Sequence, residues 1–168
     1  MSICFNPIGF VRTKLSDEEI RNRPHDKVEA DIEILSEYEE GLEGIDGFSH
    51  LLVFFFLNKI TVEQRKLLKT KPRSVVRYGL TLEELPQVGV FCLDAPLRPN
   101  PIGLTVVNLL WRKGRTLRVK GLDALNETPV LDLKPYSPAR KIDKFELPEW
   151  YKNIISKVKA KGHDIPDF

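Results

Sequence analysis

Hydrophobic and polar positions alternate most cleanly at Val28, Ala30, Ile32 and Ile34, with Glu29, Asp31 and Glu33 between them. A period of two predicts a half-buried strand with an acidic outer face. Residues 48–57 are nearly all apolar and include three consecutive phenylalanines. That continuity is too great for a one-sided strand and predicts a central strand covered on both faces. Residues 3–13 read as a first strand, with Pro7 and Gly9 suggesting an edge or a bulge. Residues 88–93 and 130–133 read as short strands. Residues 102–111 and 116–122 form a predicted hairpin turning at Lys113-Gly114-Arg115.

Helical signals are few. Ser16-Asp17-Glu18-Glu19 is a capping-box pattern that opens a short polar helix ending before Pro24. Residues 36–42 allow one or two helical turns, broken by Gly41, Gly44 and Gly47. Val62, Leu67 and Leu68 among charges predict an amphipathic helix over 61–69. Trp150, Ile154, Ile155 and Val158 recur at helical spacing and predict a C-terminal helix over 149–160. Residues 71–87 carry no firm assignment, and a connection of that length is usually functional or mobile.

About seven strands without a strand–helix rhythm predict a mainly β fold. The expected architecture is an antiparallel β-barrel or sandwich with peripheral short helices and a C-terminal helix. No Gly-x-Gly-x-x-Gly follows a strand and no Gly-Lys-Ser/Thr loop occurs, which argues against a doubly wound nucleotide-binding sheet. A length of 168 residues fits a single domain over 1–168.

Composition narrows the class further. Hydrophobic residues make up 42% and charged residues 30%, as in a globular, soluble chain. No run is long and apolar enough to span a bilayer, and the N-terminus shows no export signal. Cys4 and Cys92 stand alone, and His25, His50 and His163 are scattered. This suits a reducing cytoplasm, and no spacing asks for a metal. The net charge of +2 conceals a segregation, with twelve acids against three bases between Asp17 and Asp46 and twelve against twenty-three elsewhere. Two readings stay open: a basic face that meets phosphate, or solvated charges that happen to cluster.

The stiffest stretch is Arg98-Pro99-Asn100-Pro101-Ile102-Gly103. Its two prolines fix φ and push the preceding residues towards extended conformations, so a non-helical corner should hold the Arg98 guanidinium and the Asn100 amide in place. A rigid loop between strands would look the same. Preceded by Gly89-Val90-Phe91, however, this hexapeptide resembles the signature of the TrmO family of S-adenosylmethionine-dependent tRNA methyltransferases. Three further blocks occur in that family's order: Pro7-Ile8-Gly9, Gly47-Phe48-Ser49-His50-Leu51, and Leu122 to Tyr136.

The resemblance implies a barrel-like domain that works as a homodimer, binds S-adenosylmethionine near the subunit boundary and methylates the N6 amine of threonylcarbamoyladenosine in tRNA. It places the cofactor against four groups of residues. Pro24-His25-Asp26 stands where the family has Pro-Arg-Gln, and Asn58-Lys59 ends the phenylalanine-rich strand. Asp94 falls on a family arginine, with Leu104 just beyond the proline corner. Asn126-Glu127-Thr128-Pro129 stands where the family has Asp-Gly-Thr-Pro. These departures reverse a charge and replace a glycine, which implies that the cofactor's carboxylate or adenine is held differently. Asp26, Asp94 and Glu127 are candidates to face the sulfonium.

Arg98, Asn100, Lys134 and Tyr136 are the candidate substrate-binding residues, Lys134 and Tyr136 as a basic and aromatic pair for phosphate and base stacking. The same pair could be a mere strand exit. His50 reads as a hydrogen-bonded strand residue rather than a general base. Methyl transfer from a sulfonium needs alignment and water exclusion more than a catalytic triad. Two other readings remain: a cofactor-binding protein of the same fold with a small-molecule acceptor, and a non-enzymatic RNA-binding dimer.

Overall fold

The computed structural model describes residues 3–164, apart from the side chain of His25. The strands are β1 (Gly9–Arg12), β2 (Glu29–Ile34), β3 (His50–Phe56), β4 (Lys69–Thr70), β5 (Val88–Gly89), β6 (Ile102–Lys113), β7 (Thr116–Lys120) and β8 (Pro129–Pro135). The helices are α1 (Asp17–Asn22), α2 (Val62–Arg65) and α3 (Glu149–Ala160), with several 3₁₀ turns. The chain folds as two compact units, one built from Met1–Lys59 and Ile102–Lys141, the other from Ile60–Pro101 and Ile142–Phe168.

The first unit is a closed antiparallel barrel in the order β1-β2-β7-β6-β3-β8, with β8 returning to pair with β1. The mainly β barrel expected from the strand pattern is therefore present, built from six strands. Period-two alternation explains its interior, where Val11, Ile32, Val53, Val107, Leu117, Val119 and Val130 are completely buried. Each such side chain contributes about 1.5–3 kcal/mol by leaving water. The phenylalanine-rich strand is central, flanked by β6 and β8, and only Phe55 of its three phenylalanines is fully buried.

The acidic outer face of β2 is answered from its neighbours. Arg118 on β7 reaches Asp31 at 3.1 Å and Glu29 at 3.2 Å, and Arg12 on β1 reaches Glu33 at 2.9 Å. Three of the twelve acids between Asp17 and Asp46 thus belong to a cross-strand ladder. Hydrogen bonding to Asp31, against some desolvation, raises the pKa of the Arg118 guanidinium above its ordinary value.

The second unit has its own core, in which Val75, Leu80 and Leu85 pack with Ile154 and Val158 of α3. The helix expected over 149–160 is there with those bounds. The unassigned connection contains a 3₁₀ turn at Arg73–Tyr78 that ends on Gly79 at φ 83°, a left-handed position suited to glycine.

Several elements are shorter than the local pattern predicts. The first strand is confined to Gly9–Arg12, and Ile3 and Phe5 are exposed. The helix expected over 61–69 is only Val62–Arg65, and Leu67 and Leu68 stay largely exposed, giving a longer helix little burial to hold it. The strand expected over 88–93 stops at Gly89 and becomes a 3₁₀ turn at Val90–Cys92. Arg98 Nη2 donates to the carbonyls of Val90 at 3.0 Å and Leu93 at 2.6 Å, diverting the acceptors that a ladder would use.

Candidate functional site

The barrel's antiparallel order brings the ends of β1 and β3 to the same rim as the starts of β6 and β8. On this rim stand Asn58 and Lys59, just after β3; Leu104, near the start of β6; and Asn126–Pro129, leading into β8. The segment holding Pro24 and Asp26 joins β1 to β2 at the same end. The cofactor segments inferred for the first unit therefore meet at one end of one barrel. Pro24 and Asp26 are exposed there, while the side chain of His25 lies outside the described residues.

Local chemistry shapes each segment. The Ser16 hydroxyl caps the Glu19 amide, and the Glu19 carboxylate returns to the Ser16 amide at 2.9 Å, completing the capping box of α1. Hydrogen bonds to the carboxylate from the Ser16 backbone N–H and then from its hydroxyl hold the Glu19 carboxyl below its ordinary pKa. The Lys59 ammonium pairs with Asp17 at the start of α1, tying the exit of β3 to that helix. Leu104 is 54% exposed and shares the outer face of β6 with Val106. It offers apolar surface outside the barrel.

The turn before β8 is bound closely to β1. Glu127 N–H donates to the Val11 carbonyl at 2.9 Å, Val11 N–H to the Thr128 carbonyl at 3.0 Å, and Thr13 N–H to Asn126 Oδ1 at 3.0 Å. Thr128 is buried, and Glu127 is the one non-glycine residue with positive φ among the described residues, at 64°. Its carboxylate pairs with Arg12, which also holds Glu33. Glu33 first, and then Glu127, raise the Arg12 pKa against desolvation. Sequence patterning missed Arg12 and Glu33: they are outward positions on neighbouring strands, and no local signal joins Arg12 to residue 127.

Other candidates lie elsewhere. Lys134 and Tyr136 are at the far end of β8 from Asn126–Pro129, roughly 20 Å away at ~3.3 Å per residue. Lys134 pairs with Asp132 at 2.7 Å and stands 5.9 Å from the centre of the Phe54 ring. The Tyr136 ring stands 6.3 Å from that of His50, and Ser49 Oγ lies 2.9 Å from His50 Nδ1. A cleft of about 390 Å³ opens at this second end, lined by Tyr38, Phe48, Leu51, Leu133 and Lys134 among others. The chain therefore does not unite these two residues with the rim that carries Asn58 and Asn126.

Asp94, Arg98 and Asn100 belong to the second unit. Asp94 and Asn100 are exposed, whereas Arg98 is partly buried and spends one nitrogen on two backbone carbonyls. Among the described residues no group of three or more His, Cys, Asp and Glu side chains converges on a metal position, and no helix is long and apolar enough to cross a membrane.

Comparison with known proteins agrees with the barrel fold. The chain is 31% identical over 167 residues to a "Probable S-adenosyl-L-methionine-binding protein" of Pyrococcus abyssi, covering 98% of this chain and 84% of that one. It is 36% identical over 138 residues to an S-adenosyl-L-methionine-binding protein of Archaeoglobus fulgidus, covering 81% and 91%. The crystal structure of TrmO from Pseudomonas aeruginosa superposes with a TM-score of 0.66 at 27% identity, covering 87% of this chain and 61% of that one. The chain thus spans about three-fifths of that structure's length. The sequence profile of the tRNA-methyltransferase O N-terminal domain matches residues 7–143, and the chain belongs to that family.

Proposed function

We propose that this chain is an S-adenosylmethionine-dependent methyltransferase that acts on tRNA, at the N6 amine of threonylcarbamoyladenosine beside the anticodon, as a cytoplasmic homodimer. The observation that carries the reading is the meeting of Pro24–Asp26, Asn58–Lys59, Leu104 and Asn126–Pro129 on one barrel rim. The family match and the names of the relatives support the cofactor and the reaction class.

The residues present fit such a cofactor. Leu104 supplies exposed apolar surface for a flat base, Asn58 supplies an exposed amide, and Asp26 an exposed carboxylate for a positive centre. Bound S-adenosylmethionine would bring a sulfonium methyl that a nitrogen can attack in line. The protein's part is then to align the acceptor, exclude water and let a carboxylate or carbonyl oxygen take the lost proton. Glu127 is already paired with Arg12, and Asp26 is an exposed acid on this rim.

Isothermal titration with S-adenosylmethionine tests the cofactor, and methyl incorporation into tRNA with and without threonylcarbamoyladenosine tests the acceptor. Binding together with transfer only to the modified tRNA is the expected result. Absence of heat at high protein concentration rules the enzyme reading out. Methylation of small-molecule extracts instead of tRNA replaces the acceptor. Binding of tRNA that is indifferent to cofactor favours an RNA-binding dimer.

A further inference from the structure

We infer that Arg12 is a positioning residue that latches the 126–129 turn, holding Glu127 in a left-handed conformation that L side chains seldom adopt. Three observations carry this. Glu127 has φ 64°, alone among the described non-glycine residues. Its carboxylate meets the Arg12 guanidinium, while Glu33 holds the same guanidinium at 2.9 Å from the other side. The two residues flanking Arg12, Val11 and Thr13, bind the same turn.

A side chain in the left-handed region crowds its own carbonyl, and only glycine escapes that cost. A turn held in this shape therefore needs either glycine or an external tie. This chain uses the tie. Arg12 is suited to the work because its planar fork serves two carboxylates at once, and Glu33, fixed on β2, prevents it from swinging away. The role assigned to Glu127 is thus conformational, and its carboxylate is not the group that faces a positive ligand.

The inference rests on the cofactor reading of this rim, and its test separates the two. Amide hydrogen exchange at Glu127 and Thr128 is followed in the ligand-free protein for the natural chain, Arg12→Ala, Glu127→Gln, Glu127→Gly and Arg12→Ala/Glu127→Gly. S-adenosylmethionine affinity is measured by titration on the same set. Arg12→Ala and Glu127→Gln should each speed exchange at these two amides about two- to fivefold, the scale of a lost exposed ion pair, and weaken cofactor binding by a similar factor. Glu127→Gln leaves the Arg12–Glu33 pair intact, so it tests the latch even if Arg12→Ala loosens the barrel edge. In the Glu127→Gly background, Arg12→Ala should add less than twofold, because glycine needs no tie.

Unchanged exchange in both Arg12→Ala and Glu127→Gln overturns the latch. So does an Arg12→Ala effect of equal size in the glycine background, which would give Arg12 a direct role. If the natural chain binds no cofactor, the functional reading fails, while the exchange rates still decide the latch.

Discussion

The Phe55 ring lies across Gly103, its cross-strand partner, so closely that a β-carbon on Gly103 would come within 2.3 Å of the ring. Phe55 is 2% exposed and cannot swing out without opening the core. The glycine that ends the proline corner is thus the seat of the largest core side chain on β3, beside the rim where Leu104 stands. Gly103→Ala is expected to cost about 1–3 kcal/mol through overpacking, read as a lower urea midpoint with an unchanged slope. A midpoint equal to that of the natural chain would show that Phe55 repacks freely.

Arg98 predicts a local effect. Its Nη2 serves the Val90 and Leu93 carbonyls, and Arg98→Ala leaves both without that partner. Loss of a charged hydrogen bond costs about 1.5–3 kcal/mol. Limited proteolysis should show new cleavage near residues 88–94, where Phe91 is already 79% exposed. Protection equal to the natural chain would mean that the two prolines alone hold this corner.

The capping box of α1 gives a pH dependence. Glu19 has its carboxyl pKa depressed below the ordinary 4.5, chiefly by hydrogen bonding from Ser16. A depressed folded-state pKa contributes stability that is present above the unfolded pKa and is lost as pH falls through the folded one. Thermal stability should therefore fall on acidification below 4.5. Glu19→Gln should flatten that part of the curve, and identical acid limbs in the two proteins would remove Glu19 from the account.

Salt dependence tests the nucleic-acid reading. Arg73 and Arg77 are exposed within a stretch from residue 65 to residue 77 that contains no acid. If they touch phosphate, the affinity for tRNA falls steeply with salt, and replacing both by Gln lowers the log–log slope by about 1–2. An unchanged slope would place the phosphate contacts elsewhere.

Much of the barrel was legible because burial imprints itself locally. Alternation at Val28 to Ile34, continuity from Phe48 to Leu57 and the helical stripe at Trp150 to Val158 each report one face meeting a core. What failed was extent. The strand pattern at Val90 to Leu93 yielded to a guanidinium several residues downstream, and the helix pattern at Leu67 and Leu68 lacked a surface to bury it. Neither competitor is visible in a window of a few residues.

Local patterns of hydrophobic and capping positions dictated a β architecture, a capped first helix and a C-terminal helix, because these depend on neighbours two to four places away. Only the closed barrel decided that Asn58, Leu104 and Asn126 share a rim while Lys134 and Tyr136 lie at its other end. It also decided that Arg12 meets Glu127, 115 positions away. Antiparallel closure sets which strand ends become neighbours, and that pairing is a property of the whole chain rather than of any stretch within it.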